Sequence, residues 1–316
     1  MSGRAHVRVP ATSANLGPGY DCAGLALDLH DELTAELLDT RTLEIVVTGE
    51  GADTVPLDDS HLVVRSIAQG FGEAGQDLPG LRLTCHNRIP HGRGLGSSSA
   101  AIVGGLALAR ELVSDGQRLL ADTRMLEIAT EVEGHPDNVA PAIFGGLTIA
   151  WTVSGSPDHV EVARFVPNSR LQPVIAIPSE SLATEQARGL LPAAVPHSLA
   201  AANGARSALI VPALTTNPEL LMSATYDVLH QDFRRFAYPQ AHSLMMGLRS
   251  RGIPSMISGA GPSVIALGIA DSEFDQAAVV GIATELAARQ PDVAASKFTV
   301  VGLAVDVIGV SASPSS

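Results

Sequence analysis

The stretch Pro90-His91-Gly92-Arg93-Gly94-Leu95-Gly96-Ser97-Ser98-Ser99-Ala100-Ala101 carries the most information in this chain. Glycines at alternate positions free the backbone for left-handed turns and close approach. Three hydroxyls follow, then an apolar segment, Ala100 to Val113, that reads as a helix. Successive N–H groups converging at a helix N-terminus make an anion cradle. The expected guest is a phosphate, with the hydroxyls available to its Mg²⁺. A plain helix cap is the alternative reading. The run has no Gly-Lys-[Ser/Thr], so it is not a Walker loop, and no dinucleotide fingerprint opens a βα unit.

Composition narrows the setting. With 316 residues, 46% of them hydrophobic, the chain can bury a full core in two domains. Lys+Arg 20 against Asp+Glu 33 leaves a net charge of −13, a poor match for nucleic acid. Cys22 and Cys85 are too few for a disulfide framework, and no Cys/His cluster has zinc spacing. No signal-like or membrane-spanning apolar run stands out, so the expectation is a cytoplasmic globule away from membranes.

Strand and helix patterns alternate without repeating βαβ units, which predicts an α+β fold. Strands are expected at 7–10, 24–38 (interrupted near His30-Asp31), 43–49 and 81–87. A strand pair, 146–153 and 160–166, is joined by a turn at Gly155–Asp158. Helices are expected at 62–74, capped by Ser60, and at 123–132. Beyond a polar break near Pro167 come a strand at 173–177 and helices at 182–190, 196–214, 218–230 and 240–251. Strands at 263–268 and 298–306 flank a helix at 273–288. The domains are drawn at 1–167 and 168–310, with 311–316 a disordered Ser/Pro tail.

Three further clusters carry chemistry. Pro10–Asp21 ends a strand in a Gly-rich turn bearing Asn15 and Asp21, acceptors for a small polar substrate or for their own backbone. Glu131-Val132-Glu133-Gly134-His135-Pro136-Asp137-Asn138 is a dense acidic cluster that offers hard oxygen ligands for Mg²⁺, or else a solvated helix end followed by an Asx turn. Ser258-Gly259-Ala260-Gly261-Pro262-Ser263 is a hairpin turn, or a lobe that lies against the phosphate loop.

Taken in order, these segments resemble the GHMP kinase superfamily, and Glu133–Pro141 with Ala187-Arg188-Gly189-Leu190-Leu191-Pro192 resembles its homoserine-phosphorylating branch. The resemblance covers about residues 5 to 305. It implies an N-terminal ribosomal-S5-like domain, a C-terminal ferredoxin-like domain and an active site between them. It implies ATP held by Pro90, His91, Gly92, Arg93, Gly94, Leu95, Gly96, Ser97, Ser98, Ser99 and Ala100, with Gly259 and Gly261. Mg²⁺ would be held by Ser98 and by Glu131 or Glu133. L-homoserine would be held by Asn15, Asp21, Asn138, Thr184, Arg188 and Arg234, of which Asn15, Asn138 and Arg188 serve catalysis. The family also suggests a homodimer.

Overall fold

The computed structural model describes residues 3–182, 184–289 and 297–313. Two sheets organise them. The first has seven strands: β1 (Arg4–Ala14), β2 (Ala23–Leu38), β3 (Leu43–Gly49), β4 (Gly80–Asn87), β5 (Leu147–Val153), β6 (Ser156–Phe165) and β11 (Ser311–Ser313). Its main path runs β11-β1-β2-β4-β3, and β5, which also pairs with β6, joins the start of β2. The second runs β10-β7-β9-β8, from β7 (Leu171–Pro178), β8 (Ser255–Ile257), β9 (Val264–Ile269) and β10 (Phe298–Gly302).

Helices α1 (Leu62–Glu73), α2 (Ser97–Leu112), α3 (Gly116–Leu119), α4 (Asp122–Glu133) and α5 (Pro136–Phe144) belong with the first sheet. In the second half come α6 (Thr184–Arg188), α7 (His197–Thr215), α8 (Leu221–Ala224), α9 (Gln231–Arg234), α10 (Pro239–Ser250) and α11 (Gln276–Ala288). The period-2 alternation of β7 sends Val174 and Ala176 to the core under α10 and α11, and Ile175 to the core shared with α2 and α7. Both faces of the second sheet are therefore buried, and one continuous core joins the halves.

Several expectations need correcting. The interruption in β2 falls before His30, where Pro10 pairs with His30 but Ala11 pairs with Leu27. The cap of α1 is His61, whose Nδ1 accepts the Val63 N–H at 3.2 Å; Ser60 bonds Asp58 instead. Val153 pairs with Ser156, so the β5–β6 turn is Ser154-Gly155, with Gly155 at φ 84°. The expected helix over 218–230 breaks because the Asp227 carboxylate takes the N–H groups of Leu229, His230 and Gln231 and starts α9 instead. The tail is not structureless throughout: Ser311–Ser313 pair with β1, while 314–316 lie outside the described residues. The segment leading to them returns to the first half of the chain, where Val310 N–H bonds Ala142 O of α5 at 2.8 Å. Among the described residues no helix is long and apolar enough to cross a membrane.

Candidate active site

The phosphate loop leads directly into α2, which begins at Ser97 and so takes in all three serines. Gly92, Gly94 and Gly96 have φ of 64°, 70° and 71°, the left-handed region that favours glycine. A side chain at Gly94 would be driven into the Ser258 carbonyl oxygen, so the loop closes only as glycine. The Ser258–Ser263 turn is both a hairpin and a lid on this loop. Ser258 Oγ donates to Gly94 O at 2.7 Å, and Gly259 N–H bonds Ala14 O at 3.1 Å.

A cleft of about 240 Å³ lies where these elements meet. Its walls include Gly94, Gly96, Ser97, Ser98, Asn15, Asp21, Glu133, Asn138, Arg188 and Arg234. Residues from both halves of the chain, from Asn15 to Ala260, therefore face one space. On the loop side, Ser98 Oγ donates to Glu133 Oε1 at 2.6 Å. Glu131 is exposed and does not line the cleft, so the structure brings Glu133 and not Glu131 to the phosphate loop. Ser99 is fully buried, and its Oγ has no hydrogen-bond partner among the described residues.

The acidic cluster does not take the alternative reading of an Asx turn: a helix follows it. Pro136 takes the first position of α5, where its missing N–H costs nothing, and Gly145 ends the helix. Asp137 and Asn138 thus sit in a buried first turn pointing at the cleft. His135 Nδ1 lies 2.6 Å from Asp137 Oδ1. Burial opposes the imidazolium, but the bond to and charge of Asp137, with Glu133 beyond, hold the His135 pKa above its ordinary value.

The Pro10–Asp21 turn concentrates backbone strain: Asn15, Leu16 and Asp21 have φ of 67°, 44° and 57°. Asn15 is pinned at both ends of its amide, Nδ2 donating to Gly259 O at 2.8 Å and Oδ1 accepting from Asp21 N–H at 2.9 Å. From outside, Asn203 Nδ2 and Ser207 Oγ hold Pro18 O, and His230 Nε2 holds Gly17 O. Burial pushes the His230 pKa down, and the neutral ring accepts at Nδ1 from Arg234 Nη1 at 3.5 Å.

Arg188 and Asp21 form a two-point ion pair in the cleft. Burial opposes the Arg188 charge, and Asp21 overrides it, keeping the guanidinium above its ordinary pKa. Arg234 is different: 1% exposed, it donates Nε to Ala187 O at 3.0 Å, and no carboxylate pairs with it among the described residues. Tyr20, which sequence reading passed over, lies beneath both cations, 5.8 Å from Arg188 and 5.5 Å from Arg234.

Other expected ligands fall elsewhere. Arg93 turns from the cleft and clamps three carbonyls, Pro178, Ser179 and His91. Pro90, Leu95 and Ala100 are buried packing residues, and Gly261 sits against the Tyr238 ring rather than in the cleft. Thr184 opens α6, but its side chain lies outside the described residues. His91 lines a second, more apolar cavity of about 290 Å³ with Pro56, His61, Val63 and Asn87. Ser97 and Ser98 are walls of both, so the cavities meet at the phosphate loop.

Comparison with known proteins places the chain in a family. The family model for the GHMP kinase N-terminal domain matches residues 61–146. The solved homoserine kinase of Cytophaga hutchinsonii superposes with a TM-score of 0.83 at 25% identity, covering 99% of this chain and 98% of that one. The curated homoserine kinase of Streptomyces coelicolor is 48% identical over 298 residues, 94% of each chain. That of Clavibacter michiganensis is 47% identical over 306 residues, 97% of this chain and 93% of its own. The fold is that of a GHMP kinase. Within that superfamily the chain belongs to the homoserine kinases.

Proposed function

We propose that this cleft transfers the terminal phosphoryl group of ATP to the side-chain hydroxyl of L-homoserine, giving ADP and O-phospho-L-homoserine. The observation that carries the substrate is Arg234. A buried guanidinium without an acid partner is costly, and a carboxylate brought by the substrate supplies one. Arg188 joins it on the same carboxylate, Asp21 faces the substrate ammonium, and Asn15 with Asn138 borders the hydroxyl.

The donor side follows from the loop. Glycine N–H groups and the α2 N-terminus hold the phosphates. The second cavity, lined by Pro56, Ser60 to Val63 and His91, receives the base. The paired oxygens of Ser98 and Glu133 fit Mg²⁺, which takes few protein ligands and several from phosphate and water. Bound there, the ion supplies neutralisation of phosphate charge. Asp137 is engaged with His135, so it is not the base in this reading. The hydroxyl attacks in line, the bond to the ADP oxygen breaks, and the proton leaves to phosphate or water. Thr184 stays a substrate contact, and the homodimer a family trait, on the resemblance alone; the cytoplasmic location rests on the sequence pattern.

The test is ADP release with L-homoserine and other small alcohols, mevalonate included, with ³¹P NMR of the product. Turnover on homoserine with a phosphomonoester product supports the reading. Turnover of another alcohol with none on homoserine overturns it.

A further inference from the structure

Thr12 stands near the end of β1 with no exposed surface, yet its side chain is polar. Its backbone N–H bonds Leu95 O at 3.0 Å, which ties it to the phosphate loop independently of the hydroxyl. Oγ1 donates to Asn138 Oδ1 at 2.8 Å, across 126 positions of chain. Gly96 makes room for this contact: a Cβ there would run into Thr12 Oγ1 and approach Asn138 Oδ1 to 3.1 Å.

An amide offers one acceptor atom and two N–H donors, and a hydroxyl carries a single proton. With that proton on Oδ1, the Asn138 amide has a fixed sense. Asn138 Oδ1 is the acceptor this hydroxyl uses among the described residues; in the flipped amide Nδ2 would donate to Oγ1, and the hydroxyl proton would lose that acceptor. A buried unsatisfied donor is costly, so the flip is opposed.

We propose that Thr12 is a positioning residue for phosphoryl transfer, holding Asn138 so that its N–H donors, not its oxygen, serve the acceptor hydroxyl. The proposal rests on the reading of Asn138 given above. A donor at that place orients the nucleophilic oxygen and leaves the hydroxyl proton directed elsewhere. Thr12 touches no substrate; it acts through Asn138.

The experiment measures kcat, both KM values and thermal melting for Thr12→Val, Thr12→Ala, Thr12→Ser, Asn138→Ala and the Thr12→Val/Asn138→Ala double variant of the full chain. Thr12→Val and Thr12→Ala should each lower kcat roughly ten- to hundredfold, the scale of a misplaced contact near the reacting atoms. KM for ATP should stay within about threefold, and Thr12→Ser should restore kcat to within about threefold. Adding Thr12→Val to Asn138→Ala should cost nothing further. An unchanged kcat in Thr12→Ala while Asn138→Ala is impaired overturns the role of Thr12 and leaves that of Asn138. Losses that multiply in the double variant, or a serine that fails to rescue, also overturn it. An unimpaired Asn138→Ala overturns the reading of Asn138 and this inference with it. Thr12→Ala adds no methyl against Gly96, so a valine variant that melts early does not decide the outcome.

Discussion

Arg188 grips Asp21 at two points, Nη2 to Oδ1 at 2.7 Å and Nη1 to Oδ2 at 3.0 Å, over the ring of Tyr20. The two charges are complementary to each other and, separately, to the two ends of a zwitterion. Both side chains are about a third exposed, 36% and 34%, so the pair contributes little to folding. Arg188→Met and Asp21→Asn should therefore leave thermal melting nearly unchanged. Each should cut kcat/KM for homoserine by roughly ten- to hundredfold while KM for ATP holds. Steady-state kinetics with each substrate varied in turn checks this.

Ser98 and Glu133 test the metal side. Glu133→Gln should raise the Mg²⁺ needed for half-maximal rate and lower kcat by about tenfold or more. Glu131→Gln should behave as the unmodified protein, because its side chain projects from another face of α4. A Mg²⁺ titration of both variants reads the difference.

Arg234 sets stability against function. Replacing a buried, unpaired cation by an apolar side chain of similar length relieves desolvation. Arg234→Met should melt at the same temperature or higher and lose homoserine-dependent ADP release by about a hundredfold. Calorimetry and the kinase assay on one preparation measure both.

Asp31 gives a pH signature. Its Oδ1 accepts the N–H groups of Arg88 and Ile89, but burial still pushes its carboxyl up to about 6. The folded chain thus holds this proton to higher pH than the unfolded chain, where a carboxyl titrates near about 4. The stability tied to the neutral form is complete below about pH 4 and is lost as pH rises through about 6. Asp31→Asn should stabilise the protein by about 3 kcal/mol at pH 8, with the gain vanishing near pH 4. Urea unfolding at a series of pH values follows it.

What the sequence made legible was local. The Gly94–Ser99 loop, the Asn15–Asp21 turn and the late glycine turn each carry a backbone requirement that glycine writes into the chain. What it hid depends on distance or helix phase. Glu131 and Glu133 differ by two positions, hence by about 200° around a helix, and only one can face the loop. Arg93 beside a phosphate cradle reads as a ligand, but its partners are carbonyls, two of them 85 and 86 residues away. Asp137 and Asn138 read as ligands or as turn formers, and what sets them is Pro136 ahead of them, which starts a helix. Thr12 left no signal, since one hydroxyl at a strand end has no period.

The substrate assignment rests on a carboxylate meeting Arg234. Its most direct measurement is the ratio of kcat/KM for L-homoserine to that for 3-aminopropan-1-ol, the same molecule without its carboxylate, in the unmodified protein and in Arg234→Met. The predicted ratio is about a hundred or more in the unmodified protein and falls by about tenfold or more in the variant, where Arg188 alone still meets the carboxylate. A ratio near one in the unmodified protein, or one that survives the substitution, would contradict the account.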